Sequence, residues 1–212
     1  MAVRTDLGQR VELVSMDPLF HDVSIGLYRK ETDDGPVAVV HSYSTRAGTD
    51  ARLAFIADAL VALGGLERVD GDPDGGLRLP CRDWHNEAMK RLFLDCFRVD
   101  PSVELAPKPL EGPDTRSEQT IALVPLGDGV YRVEASGATE EEPSRAPAIA
   151  RALVRLAQLD ERDETSVAFA CGHDHHELMG VMLVRAQNLR ASLREEELTA
   201  SRGVLAAPSA QE

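Results

Sequence analysis

The sequence predicts an α+β or α/β fold: an internally duplicated ββαβα unit, with mixed sheets, helices packed on one face and a pseudo-two-fold arrangement. Three observations predict it. Ile56-Ala-Asp-Ala-Leu-Val-Ala-Leu63 and Ile149-Ala-Arg-Ala-Leu-Val-Arg-Leu156 are identical at six of eight positions, 93 residues apart. The strand before each block keeps that spacing, with Val37 on Val130 and Val40 on Val133. Further along, Cys81, His85, Glu87 and Met89 recur as Cys171, His175, Glu177 and Met179, now 90 residues apart. The change of three falls between elements, where loops tolerate length differences.

Each element has its own signal. Val11–Ser15 is a short apolar run that reads as an edge strand. Asp22–Lys30 alternates through Val23, Ile25 and Leu27, the period of a half-buried strand. Thr32-Asp-Asp-Gly35 is a turn, and Pro36–Ser44 completes a hairpin. Thr49 or Asp50 can cap a helix whose stripe is Leu53, Ile56, Leu60 and Leu63. Gly64-Gly65 ends it, because glycine adopts the left-handed C′ conformation cheaply. A turn over Asp70–Gly76 leads to a strand at Leu77–Cys81. Asp83 can then cap a helix to about Arg98 with Met89, Leu92, Phe93 and Cys96 inward.

Residues 100–118 contain Pro101, Pro107, Pro109 and Pro113 and read as a linker, since proline lacks the N–H that ladders and helix interiors need. The order then repeats. Strands are expected at Gln119–Leu126 and Val130–Ser136, a helix at Pro147–Leu159 and a strand at Ser166–Cys171. A long helix is expected from Asp174 to about Glu197. The expected division is 1–99 for the first repeat with its N-terminal extension, 100–118 for the linker, 119–200 for the second repeat and 201–212 for a frayed tail. A right-handed crossover through each first helix should set the strand that follows it parallel to the second strand of the hairpin.

Composition narrows the function classes. With 43% hydrophobic but only 4% aromatic residues, aliphatic side chains must fill the core. A net charge of −13 argues against nucleic acid as a partner, because phosphates would be repelled. Three cysteines without regular spacing do not make a disulfide framework. No apolar run reaches the roughly 18–20 residues of a membrane span, and Met1–Arg10 lacks the apolar segment of a signal peptide. A cytoplasmic protein is the expectation.

The shared Cys-x-x-x-His-x-Glu carries the chemistry. Each Cys closes a strand and each His sits at the start of the next helix, beyond the strand end where open α/β sheets place ligands. Cys sulfur and His nitrogen suit zinc or another divalent transition metal, and two copies supply four donors. The second copy is denser, Cys171-Gly-His173-Asp174-His175-His176-Glu177. The candidate ligands are therefore Cys171, His173, His175, His176, Cys81 and His85, meeting in a cleft between the repeats. A bound small ligand, or a thiolate nucleophile beside a histidine, are other uses of the same groups. The bland reading is packing alone, since free cysteine is often buried. The alternative function is a binding or assembly protein with no active site, whose long last helix docks a partner or a second copy in a homo-oligomer.

Three further features are weighed and set aside. Asp70-x-Asp72-x-Asp74-Gly75 resembles the start of a calcium loop, but Cys81 stands where a bidentate Glu is needed, so an acidic turn is expected. His41, Tyr43 and Ser44 near a strand end could line a pocket, but their counterparts are Glu134, Ser136 and Gly137, so the duplication gives them no support. Arg145, Arg151 and Arg155 read as a solvated helix face.

Overall fold

The computed structural model describes residues 25–42 and 47–189. The first half runs β1 (Ile25–Thr32), β2 (Gly35–Ser42), α1 (Thr49–Gly64), β3 (Glu67–Arg68), β4 (Leu77–Arg78) and α2 (Asn86–Arg98). The second runs β5 (Glu111–Pro113), β6 (Thr120–Gly127), β7 (Val130–Ser136), α3 (Ala146–Ala157), β8 (Asp160–Glu161), β9 (Ser166–Ala168) and α4, helical over 176–189. The architecture is α+β, with four helices among the described residues and two antiparallel sheets ordered β1-β2-β4-β3 and β5-β6-β7-β9-β8. Val11–Ser15, the tail over 201–212 and the expected helix beyond 189 lie outside the described residues.

The expected mixed sheets are corrected to antiparallel ones. α1 does return the chain, but it delivers it into β3, and a turn then reverses it into β4. Val69 N–H donates to Gly76 O at 2.9 Å across that turn. β4 therefore meets β2 antiparallel at Ala38↔Leu77, and β9 meets β7 antiparallel at Tyr131↔Val167 for the same reason. Two exposed polar residues make up each of β3 and β8, so neither leaves a hydrophobic period to read. The first half is ββαββα rather than ββαβα, and the second is βββαββα, β5 included. The proline-rich stretch also holds a strand: β5 pairs with β6, Gly112 opposite Ile121.

Helix ends correct two expected caps. Gly48 caps α1 in place of Thr49 or Asp50, and His85 caps α2 in place of Asp83; neither makes a side-chain cap bond. Gly65 closes α1 as expected, at φ 66°, with its N–H on Val61 O at 3.0 Å.

One continuous apolar core joins both halves. Leu27, Ile56, Leu60, Leu92 and Phe93 share it with Ile121, Leu153, Val167, Leu178 and Met182. Truncating such a side chain to alanine costs about 2–5 kcal/mol. Beneath α3, the wholly buried Asp114 carboxylate pairs with Arg145, and Gln119 Oε1 accepts the Arg145 N–H at 3.0 Å. Arg145 is therefore a half-buried partner of the residue that follows β5 and not part of a solvated face.

The acidic turn is occupied from within. Lys30 Nζ sits 2.8 Å from both Asp72 and Asp74 carboxylates, so the carboxylates neutralise a neighbouring lysine. Burial pushes the Asp72 carboxyl up, but the Lys30 bond and the Asp74 N–H outweigh it and hold the value below the usual range. The depressed folded value means stability that is present above the unfolded value of about 3.9 and is lost as pH falls through the folded one. Asp72→Asn should cost about 1–3 kcal/mol near neutral pH. Its urea midpoint should also fall less steeply than the parent's below pH about 4. Parallel pH profiles for the two proteins would contradict the assignment.

Candidate metal centre

Two strand–turn–helix joints build the site. After β4, Arg82 N–H donates to Leu79 O at 2.9 Å, and after β9, Gly172 N–H donates to Phe169 O at 3.1 Å. Arg82 (φ 62°) and Gly172 (φ 71°) both take the left-handed conformation that such a reversal needs. The chain then turns so that the N–H two residues beyond each cysteine faces its sulfur. Asp83 N lies 3.3 Å from Cys81 Sγ and His173 N lies 3.4 Å from Cys171 Sγ. An N–H aimed at sulfur favours the thiolate that binds metal. His85 and His175 stand just before their helices, with their carbonyls accepting from Met89 N (2.8 Å) and Met179 N (2.9 Å). His85 makes no side-chain cap because its ring turns to sulfur instead: Nε2 is 3.4 Å from Cys81 Sγ. His175 Nε2 is 3.3 Å from Cys171 Sγ.

The hairpins support the joints from outside. Gly35 (φ 105°) and Gly129 (φ 73°) sit so close that a Cβ would lie 2.9 Å from Arg82 O and His173 O respectively. Gly129 also receives the second joint: its N–H donates to Asp174 Oδ1 at 3.1 Å, and its carbonyl accepts from Phe169 N at 3.1 Å.

The two joints face one another. One donor atom from each of Cys81, His85, Cys171 and His175 lies within 4.8 Å of every other. The His85 and His175 rings are 5.0 Å apart, and Phe169 packs edge-on against both, at 5.0 and 4.6 Å. Tetrahedral zinc with Zn–S near 2.3 Å and Zn–N near 2.0–2.1 Å separates sulfur from nitrogen by about 3.5 Å. The two observed sulfur–nitrogen separations match that spacing. The cluster could hold a metal ion such as zinc.

Burial favours the neutral forms of Cys81, His85 and His175. It pushes the Cys81 thiol up to about 12, helped by the adjacent Cys171. It lowers His85, and it lowers His175 to about 4, with His85 and His173 adding repulsion. Neutral imidazoles are ready donors, whereas neutral thiols must lose protons to the incoming cation. A dication supplies that charge compensation directly. A thiol held as high as Cys81 makes a poor nucleophile.

The remaining candidates are placed elsewhere. His173 is exposed, its Nδ1 3.0 Å from Cys171 O, and His176 is exposed, its Nδ1 3.0 Å from Tyr131 Oη. Glu87 accepts from Asn86 Nδ2 at 3.3 Å, while Glu177 lies against Gly65. Cys96 is buried in the core. His41 packs edge-on against Tyr28 at 5.9 Å, and Tyr43 and Ser44 lie outside the described residues.

Two residues of the site have no sequence signal. Phe169 packs against both histidine rings, and buried Tyr131 accepts the His175 backbone N–H at 2.7 Å. The residues 90 and 93 positions before them are Leu79 and Ala38, so the spacing that picks out the cysteines and histidines passes over them.

Comparison of the chain with protein-family models, curated proteins and solved structures finds no match. The site must be read from its own geometry.

Tyr131→Phe leaves the buried His175 N–H without its acceptor and should cost about 1–3 kcal/mol in urea unfolding. His176→Ala removes only an exposed partner of the same hydroxyl and should cost under about 1 kcal/mol. Equal losses would refute the role given to Tyr131.

Proposed function

We propose that this protein is a metal-stapled binding module in which one zinc ion, held by Cys81, His85, Cys171 and His175, locks two fused repeats together. The observation that carries the reading is the convergence of four donors, two from each half, within 4.8 Å. Four protein ligands fill a tetrahedral zinc shell, the pattern of structural rather than catalytic sites. The staple reading therefore joins the metal site to a non-catalytic role in binding or assembly. Thiol catalysis is disfavoured by the same burial that raises Cys81 to about 12.

The proposal includes duplication about a pseudo-two-fold axis through the cluster. Strand register supports it. Glu67↔Arg78 and Arg68↔Leu77 have counterparts in Asp160↔Ala168 and Glu161↔Val167, at the 93- and 90-residue spacings seen in the sequence. Ala38↔Leu77 likewise corresponds to Tyr131↔Val167. Leu27↔Val40 corresponds to Leu123↔Val133 with the first strand at a spacing of 96, three more than the 93 of the second. The proposed units are 1–99 and 119–200, with β5 a strand added to the second from the connecting stretch.

The proposed setting is a cytoplasmic protein with neither nucleic acid nor membrane as partner. Among the described residues no helix is long and apolar enough to cross a membrane.

Elemental analysis of protein purified without chelator tests the staple. One equivalent of zinc per chain is expected. Stripping it should lower the melting temperature by on the order of 10 °C, from a binding contribution of about 4 kcal/mol. His173→Ala and His176→Ala should keep full occupancy, while Cys81→Ser with Cys171→Ser should lose it. Protein that neither carries nor takes up zinc, or a double cysteine variant that retains it, would sink the proposal.

A further inference from the structure

A cavity of about 580 Å³ opens between the halves, toward the other ends of α2 and α4. Asp95 is ten residues beyond His85, which places this region about 15 Å along the helix from the cluster. The volume is that of a small-molecule site.

Its charge runs against the chain. The protein carries a net −13, yet Arg91, Arg98, Lys108, Arg155 and Arg185 line this one cavity with a single acid, Asp95. That acid is already engaged: Arg185 Nε donates to Asp95 Oδ2 at 2.6 Å, and a second guanidinium nitrogen takes Oδ1. Among the described residues the other four cations form no ion pair, and Arg91 Nε is buried without a hydrogen-bond partner. Converging cations without counter-charge repel one another, and an anion relieves that cost. Guanidinium groups favour carboxylate or phosphate, which they bind bidentately.

The rest of the lining defines the body of the ligand. Leu63 and Leu156, Val99 and Val181 supply aliphatic surface. The lining has no aromatic side chain on which a base could stack, so a nucleotide is poorly matched. An alkyl chain suits these walls.

We propose that this cavity binds an anionic amphiphile, an aliphatic chain ending in a carboxylate or a phosphate. The site is independent of the metal cluster.

Calorimetric titration of the zinc-replete full chain with decanoate, decyl phosphate, inorganic phosphate and decyltrimethylammonium tests it. One equivalent of decanoate or decyl phosphate should bind, and the tighter of the two identifies the head group. Inorganic phosphate should bind at least about tenfold more weakly, having no tail to bury. Lys108 and Arg155 are exposed, so Lys108→Glu and Arg155→Glu should fold and each weaken the alkyl anion at least about tenfold. Arg132→Glu, on β7, should leave binding unchanged. The inference is overturned if neither alkyl anion binds at millimolar concentration. It is equally overturned if the alkyl cation binds as well as the anions, or if Lys108→Glu and Arg155→Glu bind like the parent.

Discussion

Everything at the centre of this molecule depends on sulfur meeting imidazole twice, face to face, in a half-buried space. Each Cys–His contact is local, made by a turn of four residues between a strand and a helix. The contact between the two pairs is not local: it joins residues 90 apart across the shared core. Two thiols and two imidazoles, partly withdrawn from water, face one another and Phe169, with the Asp83 and His173 N–H groups aimed at the sulfurs. Such a set is costly to bury as polar groups and well suited to bury as ligands. The helices α2 and α4 then inherit their directions from the joints, because His85 and His175 supply their first carbonyl acceptors.

The site was more legible in the sequence than the sheets around it. Cys81, His85, Cys171 and His175 stood out because their types are rare and their spacing recurs. His173 and His176 were drawn in by composition alone, and composition does not say which way a ring points. The hydroxyl of Tyr131 takes His176, and the Cys171 carbonyl takes His173. Tyr131 and Phe169 could not have been singled out, since a buried aromatic residue near a strand end looks like core.

The sheets were misjudged for a different reason. The turn after α1 was plain, but Glu67 and Arg68 are solvent-facing and too few to show alternation. Missing one strand of two residues reversed the direction of the next. The same omission at Asp160 and Glu161 repeated the error in the second half. Strand direction depends on counting reversals, so it is fragile in a way that helix stripes are not. The stripe Ile56, Leu60, Leu63 is buried as its spacing required. The linker failed similarly: β5 is held by Asp114 and Arg145, a pairing between positions too far apart for local patterns to reveal.

The ion pair between Asp95 and Arg185 acquires another meaning beside the cysteine spacing. These residues are 90 apart, as Cys81 and Cys171 are. On the proposed duplication they are one position in two copies, meeting near the axis. In a dimer of identical chains such a position faces itself, and any charge placed there meets its like. A fused chain is released from that rule. Each copy can drift alone, and an axial position can become its own opposite. Asp95 facing Arg185 is a contact that two identical subunits could not make with that one position.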